Sequence, residues 1–318
     1  ALGTALSAGI ATTPAFAQSK YSLASAVPNT GVNKVVVDTF IAELKKSEPD
    51  ITIDTFLDGK LGGEKELLEM LKLGETQFQM GVIHSALYYP ELDATLVPYL
   101  FPDYASIQRF LAGPIGEKMN RTLLQKGSAV FLGTYYQGPR WSTSNKKFQT
   151  LDELKGIKVR MPEIPMWIKI WGGMGATITP IPSPEVYSAL KTGVIDAQEN
   201  MLSNILGRKI YEAQKFLINT AHQQSYVTVM AQKDFWAKLP EQKQKAIRAA
   251  MEIATNAGTE ATLTTNVEIV EKLKASGLEL VQPKPEFRTK AMPIIEAAAK
   301  STLAPGVYEA AVAAGKAQ

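Results

Sequence analysis

The alternation of apolar and polar positions divides the chain into short strand-like and helix-like segments. Residues 51–56 (ITIDTF) alternate with a period of two, which indicates a strand, and residues 30–46 carry apolar side chains at near-helical spacing. Residues 64–73 predict a helix that Gly74 stops, and residues 77–83 predict the next strand. With a first strand at residues 21–27, the order is strand, helix, strand, helix, strand, which predicts parallel strands joined by helical crossovers.

A second series of alternating elements follows after two predicted helices at residues 104–111 and 115–126. Ser183, Pro184 and Glu185 favour a helix start, because they place a cap residue, a proline and an acid at its amino end. The pattern also predicts strands at residues 129–136, 157–161, 177–179, 194–198, 226–231 and 278–281, and helices at residues 152–155, 165–171, 201–213 and 287–299.

Residues 240–275 predict one almost unbroken helix, interrupted only by Gly258. At ~1.5 Å per residue such a helix spans ~50 Å, which exceeds the width expected of one lobe. The chain has 318 residues, and single cores stop growing near ~250–300 residues. We therefore expect an α/β protein of two lobes with a long helix running across both. Its expected division is residues 18–138 plus about 226–265 in lobe I and 139–225 plus about 266–318 in lobe II, with a ligand cleft between them.

The first 17 residues differ from the rest of the chain. They read ALGTALSAGIATTPAFA, are small and uncharged, and end in Ala15, Phe16 and Ala17 before Gln18. That ending has the A-x-A form of a signal-peptidase site, so the segment predicts the trailing part of a cleavable signal peptide and an exported protein. The alternative is an Ala-rich tail. No other segment has the ~18 uncharged apolar residues that a membrane span requires.

Composition and charge argue against several classes of function. The net charge of +3 is small and the charges are interspersed, so no basic face predicts nucleic-acid binding. The chain has no cysteine and only two histidines, so we expect no disulfide and no metal site. No phosphate-binding glycine loop or nucleophile elbow is present, and we expect neither a cofactor nor enzymatic activity. We interpret Glu64 and Glu66 as a solvated helix face and His222 as a structural histidine.

Residues 138–200 contain the strongest candidate site. Arg140 and Arg160 lie at the ends of predicted strands, and Asn200 closes the stretch. Arginine presents a rigid fork of donors that matches a carboxylate and stays charged at neutral pH. An arginine at a strand end that faces a crevice is therefore a natural anion anchor, although surface ion pairs are the commoner fate of arginines.

Several runs resemble one protein family in order and spacing. They are DGKLGGEKELLEMLKLG, LKGIKVRMPEIPMW, GATITPIPSPEVYSALKTGVIDAQEN, KIYEAQKFLINTAH and KDFWAKLPEQKQKAI. These runs resemble the substrate-binding proteins of tripartite ATP-independent periplasmic (TRAP) transporters, from about residue 20 to about residue 290. The resemblance implies the two-lobed periplasmic binding protein fold, which closes on its ligand about crossing strands and a long spanning helix.

The same resemblance implies roles for individual residues. Arg160, in VRMP, matches the arginine that makes the paired contact with the substrate carboxylate. Arg140 matches a second arginine that reinforces it, and Asn200, in QEN, matches an asparagine that reaches the same carboxylate. His84 and Glu163 fall at variable ligand-facing positions of the family.

Two further positions concern the shape of the pocket. Several relatives have an aromatic residue just before the E-V-Y triplet, whereas Ser183 occupies the corresponding place here. That departure suggests a roomier or more polar pocket, and Trp167 is a candidate replacement wall.

The resemblance implies a periplasmic protein that captures a small organic acid and delivers it to TRAP integral membrane subunits. The side chains of His84, Glu163 and Ser183 can pair with ligand hydroxyls, which favours a sugar acid such as a uronate or aldonate over a C4-dicarboxylate. Glu163 also argues against a dicarboxylate, because it would repel a second carboxylate. Two alternatives stay open. One is an input protein that presents the ligand to a receptor, and the other is a periplasmic lyase or isomerase.

Overall fold

The computed structural model describes residues 19–316, so the predicted signal-peptide remnant at residues 1–17 lies outside the described residues. The strands are β1 (Ser19–Ser25), β2 (Ile51–Phe56), β3 (Phe78–Gly81), β4 (Ala129–Ser144), β5 (Lys158–Met161), β6 (Thr177–Pro180), β7 (Ala197–Met201), β8 (Phe216–Ile218), β9 (Gln224–Gln232) and β10 (Glu279–Val281). The helices are α1 (Gly31–Ser47), α2 (Glu64–Leu73), α3 (His84–Tyr88), α4 (Tyr104–Leu111), α5 (Pro114–Lys126), α6 (Leu151–Leu154), α7 (Pro165–Gly173), α8 (Val186–Lys191), α9 (Leu202–Gly207), α10 (Lys233–Lys238), α11 (Glu241–Ala275), α12 (Pro285–Thr302) and α13 (Val307–Lys316).

The strands form one connected sheet with two halves. Its order is β2-β1-β3-β9-β4-β7-β5-β6. Strand β8 pairs with the far part of β4, and β10 pairs with β8. In the first half β1 runs parallel to β2 and β3, and in the second half β5 runs parallel to β6 and β7. Each half with its helices forms one lobe, which confirms the predicted two-lobed α/β fold.

Strand β4 belongs to both lobes. Its residues 129–139 pair with β9, and its residues 140–144 pair with β7. The prediction that this strand ends at residue 136 was wrong, because Gly138 and Pro139 form an irregularity within the strand and not a turn. Gly138 has φ +85°, and a Cβ there would lie 2.3 Å from Nδ2 of Asn266 in α11. Arg140 consequently lies inside β4 and not at a strand end.

Helix α11 runs unbroken from Glu241 to Ala275, as predicted. It packs against α1 of the first lobe, then against β4, and then against α9 of the second lobe. Gly258 does not interrupt it. A Cβ at Gly258 would lie 2.3 Å from Cγ2 of Val36, so this glycine permits close packing of α11 on α1.

Buried apolar side chains hold the helices on the sheet. In the first lobe Phe40 of α1 and Phe78 of β3 are fully buried, with ring centroids 5.8 Å apart and an edge-on orientation. In the second lobe Trp171 of α7 and Phe287 of α12 are buried within one continuous cluster. Burying a side chain of this size contributes about 1.5–3 kcal/mol.

The last two helices of the chain pack on different parts of the molecule. Helix α12 packs on α7 of the second lobe, but α13 returns to α4 of the first lobe. Arg109 of α4 donates two hydrogen bonds, at 3.2 and 3.0 Å, to the carbonyl oxygen of Ala314. Residues after about 306 therefore pack on α4, and neither α13 nor β8 was predicted. In the part of the chain that the structure covers, no helix combines the length and apolar character of a membrane span.

Strand β7 begins three residues later than predicted. The turn after α8 continues to residue 196, where the amide of Val194 donates to the carbonyl of Ala189 and the amide of Asp196 donates to the carbonyl of Lys158. The strand therefore includes Asn200, and the helix predicted at residues 201–213 is replaced by α9 and a short 3-10 turn at Ile210–Ala213.

Candidate functional site

A cavity of about 50 Å³ lies between the two lobes, at the carboxyl ends of β1, β3, β5 and β6. Crevices at the carboxyl ends of parallel strands are the usual ligand sites of α/β folds. From the predicted set, the structure brings five residues together around this cavity: Arg140, Arg160, Glu163, Ser183 and Asn200. The facing lobe contributes Ala26, Val27, Glu64, Lys65, Glu66, Val82 and Ile83.

Arg160, on β5, is the residue whose surroundings best suit an anionic ligand. Its side chain is 3% exposed, and its Nε donates to the carbonyl oxygen of Ile181 at 2.7 Å. Within residues 19–316, nothing accepts a hydrogen bond from its two Nη atoms, and no carboxylate lies within ion-pair distance. Burial lowers the pKa of Arg160 to about 10, so the group stays protonated at neutral pH. A buried, charged donor fork without an acidic partner suits a carboxylate ligand.

Arg140 has a different environment, because the protein supplies its anion. Its Nε lies 2.5 Å from Oε2 of Glu199, and its Nη2 donates to Oε1 of the same carboxylate at 3.0 Å. Glu199 is fully buried, and Nε2 of His222 lies 3.1 Å from its Oε2. Burial alone would raise the pKa of Glu199, but the charge of Arg140 and the hydrogen bonds from His222 and Arg140 hold it at about 2. Arg140 is thus part of a neutralised ion pair that forms the back of the cavity.

Asn200 is fixed in the same wall. It lies on β7 between the strands that carry Arg140 and Arg160, and it is 3% exposed. Its Oδ1 accepts hydrogen bonds from the amide of Met201 at 3.1 Å and from Nδ2 of Asn204 at 3.2 Å. The Nδ2 group of Asn200 has no acceptor among the described residues, so it is available to a ligand next to Arg160.

Glu64 is a candidate site residue that the sequence interpretation missed. It was interpreted as part of a solvated helix face, but it is half-buried and lines the cavity from the first lobe. Its Oε2 accepts hydrogen bonds from the amides of Val82 at 3.1 Å and Ile83 at 2.9 Å. Burial raises the pKa of Glu64, and these two amides and the two arginines oppose that rise. The sequence feature that could have indicated this role is the position of Glu64 at the start of α2, directly after Gly62 and Gly63.

Two predicted residues do not line this cavity. His84 follows β3 as the first residue of α3, and its side chain lines a separate cavity within the first lobe. Trp167 is 3% exposed, and its Nε1 donates to the carbonyl oxygen of Leu96 at 2.6 Å. The guanidinium carbon of Arg140 lies 4.9 Å from the centre of the Trp167 ring, so Trp167 supports Arg140 from behind by a cation–π contact. Both residues are turned into the core by the helices that carry them.

The described residues contain no cluster of three or more histidine, aspartate or glutamate side chains that could hold a metal ion. Glu163 is exposed and Ser183 is half-buried, so both lie at the rim of the cavity. The arrangement can therefore bind and orient an anion through one free arginine and an amide. It brings no activated nucleophile next to these groups.

Comparisons with known proteins identify the family of the chain. The family model described as "DctP: Bacterial extracellular solute-binding protein, family 7" matches residues 25–304. The chain is 30% identical over 265 residues to the sialic acid-binding periplasmic protein SiaP of Vibrio cholerae, covering 82% of this chain and 81% of the relative.

Two solved structures of TRAP periplasmic solute-binding proteins also superpose on the fold. One, from Shewanella oneidensis with bound succinate, has a TM-score of 0.89 at 25% identity, covering 94% of this chain and 100% of that chain. The other, from Ochrobacterium anthropi with bound L-fuconate, has a TM-score of 0.88 at 27% identity with the same coverage. The chain belongs to family 7 of the bacterial extracellular solute-binding proteins, the substrate-binding proteins of TRAP transporters.

Proposed function

We propose that this protein captures a small organic acid by binding its carboxylate to Arg160, with Asn200 as a second donor. The observation that carries the proposal is the buried guanidinium of Arg160, which has no anionic partner among the described residues. Succinate, L-fuconate and sialic acid, the ligands named for the three relatives, all contain a carboxylate. We further propose that the protein acts in the periplasm and passes the acid to TRAP membrane subunits.

The acidic and hydroxyl side chains at the cavity support a sugar acid as the ligand class. Glu64 and the exposed Glu163 place acidic side chains at the cavity, and Ser183 adds a hydroxyl at its rim. Carboxylates accept hydrogen bonds from ligand hydroxyls but repel a second ligand carboxylate in a partly desolvated site. An acid with one carboxylate and several hydroxyls satisfies both Arg160 and these side chains.

The Glu64→Gln variant tests this selectivity. Removing the negative charge should shift the ratio of affinities for a C4-dicarboxylate over an aldonate by about tenfold toward the dicarboxylate, since like charges no longer oppose each other. Isothermal titration with succinate and galactonate measures the ratio. Glu69→Gln, on the exposed face of α2, is the matched control and should leave the ratio unchanged. An unchanged ratio in Glu64→Gln would show that Glu64 does not face the ligand.

The two lobes meet closely at the edges of the cavity, which supports binding by closure. A Cβ at Gly207 of α9 would lie 2.4 Å from Oγ1 of Thr30 and 3.2 Å from Cβ of Pro28. On the other side, a Cβ at Gly63 would lie 3.2 Å from Cβ of Pro182. Arg208 adds a hydrogen bond from its Nη2 to the carbonyl oxygen of Ala26. We infer that these contacts form when the lobes close on the ligand and separate when they open.

The Gly207→Ala variant tests closure. The added methyl group obstructs the closed contact but has room in an open form, so ligand affinity should fall by about tenfold, within the ~1–3 kcal/mol cost of overpacking. The unfolding midpoint without ligand should stay near that of the wild type. Gly172→Ala is the matched control, because its Cβ would have only one neighbour, Ile178, at 3.8 Å. Wild-type affinity in Gly207→Ala would contradict a tight closed contact at this point.

A thermal-shift screen against organic acids tests the function as a whole. An acid at about 100 times its dissociation constant should add about 2.7 kcal/mol and raise the midpoint by several degrees. Sugar acids should give the largest shifts, and mass spectrometry should recover the bound acid unchanged, as expected of a binding protein. If no acid raises the midpoint and the denatured protein releases none, the proposal fails.

A further inference from the structure

A second cavity, which we call the side cavity, lies within the first lobe. It is about 230 Å³ in volume, and His84, Tyr89, Met119, Phe131, Tyr226 and Thr228 are among the residues that line it. Helices α4 and α5 cover it, and the sheet strands β4 and β9 form its floor. It shares no lining residue with the cavity around Arg160. The exposed residues Gln108, Ala112 and Asn120 surround its opening to solvent.

His84 gives the side cavity an unsatisfied polar group. The side chain is 4% exposed, and its Nδ1 is buried with no hydrogen-bond partner among residues 19–316. Burial also lowers the pKa of His84 to about 4, so the ring is neutral at physiological pH and offers one donor and one acceptor. Leaving such a group unpaired costs about 1–3 kcal/mol, and buried polar groups normally have partners.

The remaining walls define what could pair with His84. Among residues 19–316, no lysine, arginine, aspartate or glutamate lines the side cavity, so a charged ligand would lose its hydration without a counter-charge. Leu111, Met119 and Phe131 provide an apolar surface for a ring. The hydroxyl of Tyr226, which lies 3.0 Å from Oγ1 of Thr95, is a further polar group at the wall.

The size of the side cavity fits a single substituted ring. An engineered apolar cavity of about 150 Å³ accepts benzene, and the side cavity is larger and partly polar. We propose that the side cavity is a second ligand site for a small uncharged aromatic molecule with one hydrogen-bonding group, which pairs with His84. The organic acid bound by Arg160 is excluded from it because nothing in its walls neutralises a carboxylate.

Titration of the full protein with phenol, indole and nicotinamide tests the proposal. At least one probe should bind with a stoichiometry of one and a millimolar or lower dissociation constant. Ala112→Phe fills the opening, and His84→Phe keeps a ring but removes its nitrogens, so each should weaken binding by at least about tenfold. Ala105→Phe, the same change on the exposed face of α4 away from the cavity, is the matched control and should bind as the wild type does.

The Arg160→Ala variant separates this site from the acid site, and it should bind the probes as tightly as the wild type. Far-ultraviolet circular dichroism checks that each variant is folded. If His84→Phe does not fold, Ala112→Phe still tests the proposal, because Ala112 is exposed and its substitution should not disturb folding. The proposal is overturned if none of the three probes binds at millimolar concentration, or if the folded Ala112→Phe variant binds them normally.

Discussion

The Arg160→Ala variant is expected to lose at least about 100-fold in affinity for its acid without losing stability in the absence of ligand. Removing one member of a desolvated, hydrogen-bonded charge pair costs about 2–5 kcal/mol of binding free energy. The ligand carboxylate would enter the cavity with only Asn200 as a donor, because Glu199 occupies two nitrogens of Arg140. Isothermal titration with the acid identified in the thermal-shift screen measures the loss.

The stability of Arg160→Ala in the absence of ligand should not fall, although its affinity for the acid should. Arg160 is 3% exposed and has no carboxylate partner among the described residues, and burial lowers its pKa to about 10. A buried cation without a partner opposes folding, so alanine at this position should leave the unfolding midpoint unchanged or raise it. For the same reason we expect an acid ligand to stabilise the closed protein, since its carboxylate would supply the missing anion.

Two control variants distinguish direct binding of the carboxylate by Arg160 from a general effect of positive charge on affinity. Lys158→Ala changes an exposed residue of the same strand and should leave affinity unchanged. Arg160→Lys keeps the charge but loses the planar fork, so it should recover only part of the affinity. If Arg160→Ala binds the acid as the wild type does, or if its midpoint falls by as much as that of a core variant, the assignment of Arg160 is wrong.

The course of the chain was largely predictable because its periodicity is clear. The patterns at residues 51–56 and 64–73 gave the bounds of β2 and α2 as the structure has them, and α11 was predicted to within one residue at its start. The errors are at positions where local chemistry and tertiary context conflict. Gly138 and Pro139 usually indicate a turn, but pairing with β9 and the contact with α11 keep them inside β4.

The difference between the two arginines could not be predicted from their sequence positions. Both follow strand-like patterns, but only the structure shows that Glu199 pairs with Arg140 and that, among the described residues, no carboxylate lies within ion-pair distance of Arg160. Glu64 was missed for a related reason. An acid in the first turn of a helix is ordinarily exposed, and its burial here depends on the amides of Val82 and Ile83 from a distant segment.

The orientation of the side chains explains why two predicted residues, His84 and Trp167, do not line the cavity around Arg160. His84 was expected to face the ligand because it follows β3, but the chain enters α3 at that residue and the side chain turns into the first lobe. Trp167 contributes indirectly, since its ring backs Arg140. A sequence resemblance can place such residues near a site, but it does not fix which way a side chain points after a helix begins.

The Glu199→Ala variant should be strongly destabilised, by about 3–5 kcal/mol, because it leaves the buried guanidinium of Arg140 without its carboxylate. Glu199 is fully buried and also pairs with His222, so no water replaces it easily. For a chain of this length the loss corresponds to a fall of roughly 5–8 °C in the unfolding midpoint. Urea denaturation and thermal scans measure it. The control is Glu279→Ala, which removes a surface ion pair with Lys147 and should cost less than about 1 kcal/mol.

The pH dependence of this effect has a definite sign. The pKa of Glu199 in the folded protein is about 2, below the ~4.3 of an unfolded glutamate, so the charged form stabilises the fold. This contribution is fully present above pH ~4.3 and is lost as the pH falls through the folded value. The stability gap between the wild type and Glu199→Ala should therefore narrow between about pH 4 and pH 2. A gap below about 1 kcal/mol at pH 7 would mean that Arg140 finds another partner or solvent, and that Glu199 does not hold the back wall of the site.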